Sequence, residues 1–327
     1  MKKVLVISGP TSTGKTDLAL DLAGKFNGEL VSCDSRQVYK GLDIGTGKYP
    51  NEKWTIENGQ LRKEKGYWEI NGIKVWMYDV VKPDKQYTVA DYVKEADRII
   101  EDIIKRGKLP IVAGGTGLYL KALIDGLPNL ELPVDKKLRK QLELFTKAEL
   151  QEKLRNVSRE RWLSLNNSDK ENPRRLIRYI ELALVPHSQG ILLSARNDER
   201  NSRKDILKIG LTAQRQILYE RSDRRVMDRI DQGMIKEAEI LLKKGVSIQR
   251  MKQLGLEYGV LADYLQGIID KQELINILKV EIHGFIKHQL TWFKKEKDVH
   301  WFDITDLSLE GNVEKLVAKW YYLPHET

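Results

Sequence analysis

Short apolar runs alternate with helical repeats over the first third of the chain. Val4–Ser8 is apolar almost throughout, Thr16–Phe26 repeats Leu18, Leu22, Ala23 and Phe26 at helical spacing, and Glu29–Cys33 is a second short run. Lys74–Val81 reads as a third strand, Val89–Lys105 as an amphipathic helix through Val93, Ala96, Ile100 and Ile104, and Leu109–Ala113 as a strand closed by Gly114-Gly115. Apolar strands alternating with helices predict a parallel sheet covered on both faces. The polar stretch Asn51–Gly72, with a hairpin signal at Asn71-Gly72, reads as an excursion on the surface of that sheet.

Residues 131–185 turn helical without strand signals, and Asn172-Pro173 is a helix start, a capping residue followed by proline at the first helical position. Ile206–Leu211 then reads as a strand, 213–245 and 270–295 as long helices, Val299–Phe302 as a last strand and Asn312–Tyr321 as a last helix. No repeat, low-complexity tract or linker interrupts the pattern. The expected architecture is an α/β core of parallel strands with helices on both faces, made of residues 1–130 and 200–327. A basic helical insertion, 131–199, interrupts it.

Composition narrows the function classes. The chain has 327 residues with 56 Lys+Arg against 47 Asp+Glu, a net charge of +9. No apolar run approaches the roughly 18 residues of a membrane span, and the single cysteine, Cys33, allows neither an internal disulfide nor a Cys-based zinc site. Met1-Lys2-Lys3 before Val4–Ile7 mimics a secretion signal, but the run is short and Pro10 and Lys15 follow at once. The chain reads as intracellular and cytoplasmic. Its excess charge is local: residues 136–230 hold 23 Lys+Arg and 13 Asp+Glu, a net of +10, which leaves −1 for the rest. That imbalance points to a polyanionic partner, nucleic acid first. Solvated helices are the plainer account of the same charge.

Gly9-Pro10-Thr11-Ser12-Thr13-Gly14-Lys15-Thr16 fits G-x-x-x-x-G-K-[ST] between a buried strand and a helix. The loop's N–H groups converge on phosphate oxygens, the helix N-terminus adds partial positive charge, Lys15 bridges oxygens, and the Thr16 hydroxyl can ligate Mg²⁺. This is a site for a di- or triphosphate group, whatever that group is attached to. A P-loop kinase or ATPase would add an acid at the end of an apolar strand. The strand Leu109–Ala113 ends in glycines instead, which leaves Asp79, after Val75-Trp76-Met77-Tyr78, as the candidate.

Asp34-Ser35-Arg36-Gln37 emerges from the second strand at the carboxyl edge of the sheet, the ligand-binding rim of open α/β folds. A carboxylate there can act as a base, hold Mg²⁺, or simply cap a helix, and position alone does not choose. Thr116, in Gly114-Gly115-Thr116-Gly117, lies on the same rim, where it could touch a ligand or serve a tight turn. Arg221, Arg225 and Arg229 share one helix face at a spacing of four, whereas Glu220, Arg224 and Asp228 read as a paired surface. Trp162 and Tyr179 can stack on bases or fill a core. The histidines show no metal-ligand spacing.

As a set, GPTSTGKT at 9–16, DSRQVYKGLDIGTGK at 34–48 and IVAGGTGLYLKALIDGL at 111–127 resemble the tRNA dimethylallyltransferases. NPRRLIRYIE at 172–181, LYERSDRRVMDRIDQG at 218–233 and KHQLTWFKKEKDVHWFD at 287–303 extend the resemblance over nearly the whole chain. It implies transfer of a dimethylallyl group from its diphosphate to N6 of adenosine 37, beside the tRNA anticodon, with the P-loop holding prenyl diphosphate rather than ATP. It further implies Asp34 as base, Thr116 near the reacting centre, Arg225 on the diphosphate with residues 9–16, and Mg²⁺ on Thr16. Contacts to the tRNA anticodon stem-loop would come from Asp34, Ser35, Arg36, Gln37, Thr116, Arg174, Arg175 and Arg178. No membrane partner is expected, and the chain is expected to be monomeric. Leu254-Gly255-Leu256-Glu257-Tyr258 replaces the family's Gly-Tyr-Arg/Lys pattern, and Ile282-His283-Gly284 its Thr-Arg-Gln.

Overall fold

The structure, a computed structural model, describes residues 2–49, 61–127, 130, 132, 135–184 and 204–323. Two compact units divide the chain: Met1–Leu123 with Lys204–Thr327, and Ile124–Arg203. The first unit opens with β1 (Lys2–Ser8), α1 (Lys15–Lys25), β2 (Gly28–Ser32), β3 (Leu61–Glu64), β4 (Tyr67–Ile70), β5 (Ile73–Trp76), α2 (Val89–Lys105), β6 (Leu109–Gly114) and α3 (Gly117–Ile124). The second unit contributes α4 (Lys136–Leu142), α5 (Lys147–Val157), α6 (Arg159–Ser164), α7 (Asn167–Lys170) and α8 (Pro173–Leu184). The chain then resumes the first unit with β7 (Lys204–Thr212), α9 (Arg215–Asp231), α10 (Met234–Lys243), α11 (Ile248–Leu254) and α12 (Leu256–Leu265). It ends in α13 (Lys271–Phe293), β8 (Val299–Asp303) and α14 (Leu309–Tyr322).

Strand order is β3-β4-β5-β2-β6-β1-β7-β8. Every pair from β5 to β8 is parallel, and only β3-β4-β5 runs antiparallel. The P-loop strand β1 is central, paired with β6 through Ser8↔Gly114 and with β7 through Ser8↔Gly210. Strands buried on both faces are apolar or carry paired polar groups, and β2 and β6 are buried at every residue, with Glu29 of β2 paired to Arg106 and Lys108. Leu5, Ile7, Leu30, Ile111 and Ile209 share one core with Leu18 and Leu22 of α1 and Val313 and Val317 of α14. The alternate residues Val4, Val6, Val31 and Val112 are equally buried, and α2 packs along β2 and β6.

Three expectations need correction. The excursion at 51–72 is not laid on the sheet: beyond residues 50–60, which fall outside the described set, it forms β3 and β4 and lengthens the sheet itself. Asn71 (φ 49°) and Gly72 (φ 78°) make the two-residue turn into β5, both left-handed as a type I′ hairpin requires. The strand expected over Lys74–Val81 stops at Trp76, because Met77 (φ 70°) and Asp79 (φ 55°) turn the chain away and Val81 only bridges Tyr39. The long helix expected over 213–245 breaks at Gly233 (φ 102°) into α9 and α10.

In the second unit, Leu142, Leu150, Leu154, Leu165, Leu176, Ile177 and Ile180 form a small core, with Trp162 and Tyr179 partly buried against it. Trp162 lies under the guanidinium of Arg155 at 4.3 Å and the ammonium of Lys170 at 4.7 Å. Asn172 starts α8 by accepting the Arg175 N–H (3.2 Å). Among the described residues, no helix is long and apolar enough to cross a membrane.

Candidate active site

The loop after β1 is shaped by contacts of its own residues and of β7. Gly9 (φ 145°) packs directly on the Leu211 carbonyl of β7, where a Cβ could not fit. The Thr13 hydroxyl donates to the Pro10 carbonyl (2.9 Å), and Lys15 Nζ donates to that carbonyl (2.6 Å) and to Thr13 Oγ1 (3.3 Å). Lys15 therefore sits folded over the loop. Burial and the nearby Arg225 push its pKa down to about 7, against an opposing pull from Asp34. Thr16 follows at the first turn of α1 and is half-buried.

Arg225 reaches the same loop from α9, with Nη1 3.5 Å from Thr11 Oγ1 and 3.4 Å from Ser12 Oγ. Arg229 beside it, together with burial, lowers Arg225 to about 9. The third member of the stripe, Arg221, is exposed. Arg229 is held by the Gly45 carbonyl (2.9 Å) and Glu257 (3.2 Å). Lys15 and Arg225 thus crowd the P-loop, each with its pKa lowered by burial and a neighbouring cation, which is the electrostatics of an anion site.

Asp34 uses its two oxygens differently. Oδ1 accepts the Arg36 N–H at 2.8 Å and the Gln37 N–H at 3.3 Å, but residues 35–38 form a turn and not a helix, so Asp34 closes an Asx turn rather than capping a helix. Among the described residues Oδ2 has no hydrogen-bond partner. Thr116 Oγ1 accepts the Ser35 N–H (3.1 Å), and the Thr116 N–H donates to the Cys33 carbonyl (3.3 Å), so the β6 turn is stitched to the Asp34 loop. Asp34, Thr116, residues 9–16 and Arg225 therefore meet at one rim.

The remaining residues singled out in sequence are placed less uniformly. Gln37 is 9% exposed and committed to Ser32 (2.7 Å) and the Thr46 and Gly47 carbonyls (3.2 Å each). Arg36 lies over Phe285 and 3.5 Å from Glu257. In the second unit Arg174 is exposed, and Arg175, also exposed, pairs with Asp169 (2.6 Å). Arg178 is anchored to Glu181 (3.2 Å) and the Leu132 carbonyl (3.3 Å). Asp79 is no P-loop acid: its oxygens are taken by Lys48 and by Trp68 Nε1, each at 2.6 Å.

Several residues escaped sequence reading. Glu237 gathers the N–H groups of Asp43, Ile44 and Gly45 at 2.8–3.0 Å and the Tyr258 hydroxyl at 2.6 Å, fixing the loop beside Arg229. Glu257, within the segment that departs from the family pattern, pairs both Arg36 and Arg229. Gln289 Oε1 accepts the Thr11 N–H of the P-loop (2.8 Å), and its Nε2 donates to the Gly115 carbonyl (2.9 Å). The signal for Gln289 is its place on α13, where a polar residue continues the apolar face of Leu274, Leu278, Ile282, Ile286 and Phe293.

The IPP transferase family model matches residues 37–296, and the Isopentenyl transferase model matches residues 2–58. The tRNA dimethylallyltransferase of Halothermothrix orenii is 36% identical over 323 residues, covering 97% of this chain and 90% of that one. The full-length tRNA isopentenylpyrophosphate transferase of Bacillus halodurans superposes with a TM-score of 0.67 at 31% identity, covering 98% of this chain and 97% of that one. A eukaryotic dimethylallyltransferase crystallised acting on tRNA gives a TM-score of 0.76 at 26% identity, covering 97% and 78%. With a rim that combines a P-loop, clustered arginines and a carboxylate, and with likeness over nearly its full length, the chain belongs to the IPP transferase family, among the tRNA dimethylallyltransferases.

Proposed function

We propose that this chain transfers the dimethylallyl group of dimethylallyl diphosphate to N6 of adenosine 37 in the tRNA anticodon loop, acting as a cytoplasmic monomer. The observation that carries the site assignment is the divided carboxylate of Asp34 beside the Lys15–Arg225 cation pair. An adenine N6 amine is a weak nucleophile, because its lone pair is delocalised into the ring, and it must shed a proton as it attacks. The N6–C1 bond forms, the C1–oxygen bond to diphosphate breaks, and the N6 proton passes to Asp34 Oδ2. Oδ1 stays bonded to two amides and holds the carboxylate in place. Negative charge grows on the departing diphosphate, and Lys15, Arg225 and the amides of residues 9–16 neutralise it. The Thr116 hydroxyl, which accepts from Ser35, keeps its own proton to donate at the reacting centre.

Thr16 would hold Mg²⁺. Among the described residues, no group of three or more His, Cys, Asp or Glu is arranged to cage a metal. One hydroxyl completed by donor phosphate oxygens and water is the hard-oxygen set that Mg²⁺ takes, so the residues fit. When bound, the ion adds charge neutralisation at the leaving group.

The anticodon loop must present an unstacked base, so adenosine 37 is extruded to reach the rim. Ser35, Arg36 and Gln37 border the position it would take. Arg174 and Arg175, exposed at the start of α8, supply phosphate contacts, and Arg178 supports that helix from its pairing with Glu181. Incubation with unmodified tRNA, dimethylallyl diphosphate and Mg²⁺ tests the proposal. The expected result is a prenyl mass gain confined to adenosine 37. ATP consumption without that gain would replace the reading with a P-loop kinase or NTPase.

A further inference from the structure

We infer that Gln289 is a positioning residue that couples the donor half of the site to the acceptor half, an inference that rests on the prenyl-transfer reading. The three rim loops follow neighbouring strands in the order β2, β6, β1. The β2–β6 seam continues past the sheet through Cys33 N–H to Ala113 O, Thr116 N–H to Cys33 O, and Ser35 N–H to Thr116 Oγ1. The β6–β1 seam does not continue. Its register ends at Ser8↔Gly114, and among the described residues no backbone hydrogen bond joins the P-loop to the Gly115–Thr116 turn.

Gln289 fills that gap from α13. One planar amide accepts from Thr11 in the P-loop and donates to Gly115, at 2.8 and 2.9 Å, and the side chain is only 6% exposed. A single rigid amide bonded at both ends fixes the separation and tilt of the two loops. A Cβ at Gly115 would lie 2.6 Å from Nε2, so any larger residue there would push the amide aside. One turn on, Trp292 packs against Gly117. Each loop keeps its own internal bonds without Gln289: Thr13 and Lys15 to Pro10 on one side, Thr116 to Ser35 on the other. The amide therefore sets where prenyl C1, carried by the P-loop, lies relative to N6, carried beside Asp34 and Thr116. A displacement of about 1 Å between reacting groups can cost about 10²-fold in rate.

The test is a double-mutant cycle of Gln289→Met with Thr116→Val, read by single-turnover transfer with both substrates saturating. Q289M removes both bonds at nearly constant volume. The expected outcome is a rate loss of about 10²-fold, with affinities for inorganic diphosphate and for tRNA each within about threefold of wild type. Thr116→Val should cost tenfold or more in the wild type and under about threefold in the Q289M background, because Thr116 is already misplaced there. Multiplying losses, or a Q289M rate within threefold of wild type, would overturn the inference. Should Q289M fail to fold, Gly115→Ala displaces the same amide from the opposite side and should give the same non-additive pattern. Hydrogen exchange at the Thr11 amide adds a readout that needs no catalysis: Q289M or G115A should accelerate it, and unchanged protection refutes the clamp. If wild-type protein makes no prenylated tRNA, the functional reading fails while the exchange result still judges Gln289.

Discussion

Asp34→Asn separates the two oxygens of the carboxylate, since asparagine keeps an acceptor for the Arg36 and Gln37 amides but takes no proton. Single-turnover prenyl transfer should fall about 10²–10⁴-fold, the usual weight of general base catalysis. The melting temperature and the affinities for tRNA and donor should barely move, because Asn closes an Asx turn as Asp does. Near-normal chemistry would reduce Asp34 to a turn residue. Lys15 gives a second expectation. Its free-enzyme pKa of about 7 leaves it largely neutral at pH 8, and a bound diphosphate raises it by favouring the charged form. Binding must then take up a proton, and donor affinity must weaken as pH rises above about 7, by up to tenfold per unit. Calorimetry at pH 8 in two buffers of different ionisation enthalpy measures the uptake directly, and none would count against the Lys15 contact.

The elements that sequence made legible are those whose meaning is local. A glycine-rich loop between an apolar strand and a helix, a carboxylate at a strand end and a capped proline helix start each need only their neighbours along the chain. Gln289, Glu237 and Glu257 were not legible, because their roles exist only with distant partners: Gln289 meets residues 278 and 174 positions away. The same applies to Glu29 on β2, which is 1% exposed and bonded by Arg106 on two oxygens, Lys108 and Trp76. Burial alone would raise its pKa, but those donors pull it from 4.5 to about 2. A lowered carboxylate stabilises the fold above its unfolded pKa and loses that contribution as pH falls through the folded one. Glu29→Gln should therefore cost about 1–3 kcal/mol near neutrality and flatten the loss of stability between pH 4.5 and 2. Equilibrium urea unfolding across that range checks it.

At the scale of the whole molecule, the +10 concentrated in residues 136–230 should make tRNA binding an ionic process. With about five phosphates neutralised, the log–log slope of affinity against salt should lie near −3 to −5. Arg174→Ala or Arg175→Ala should each reduce that slope by about one and leave diphosphate binding untouched. A salt-independent affinity would remove the phosphate role from α8.

The placement of β1 between β6 and β7 also dictates when the protein can be finished on the ribosome. Its second neighbour begins at Lys204, about two hundred residues after β1 has left the exit tunnel, and Gln289 arrives later still. Until then an apolar strand edge stands open, the kind of surface that nascent-chain chaperones hold and that mispairs when they do not. Chains stalled before residue 204 should be cut readily within residues 2–16 by added protease, and full-length chains released from the ribosome should resist. The P-loop's two late partners, β7 and Gln289, thus reach it only when most of the chain has been made.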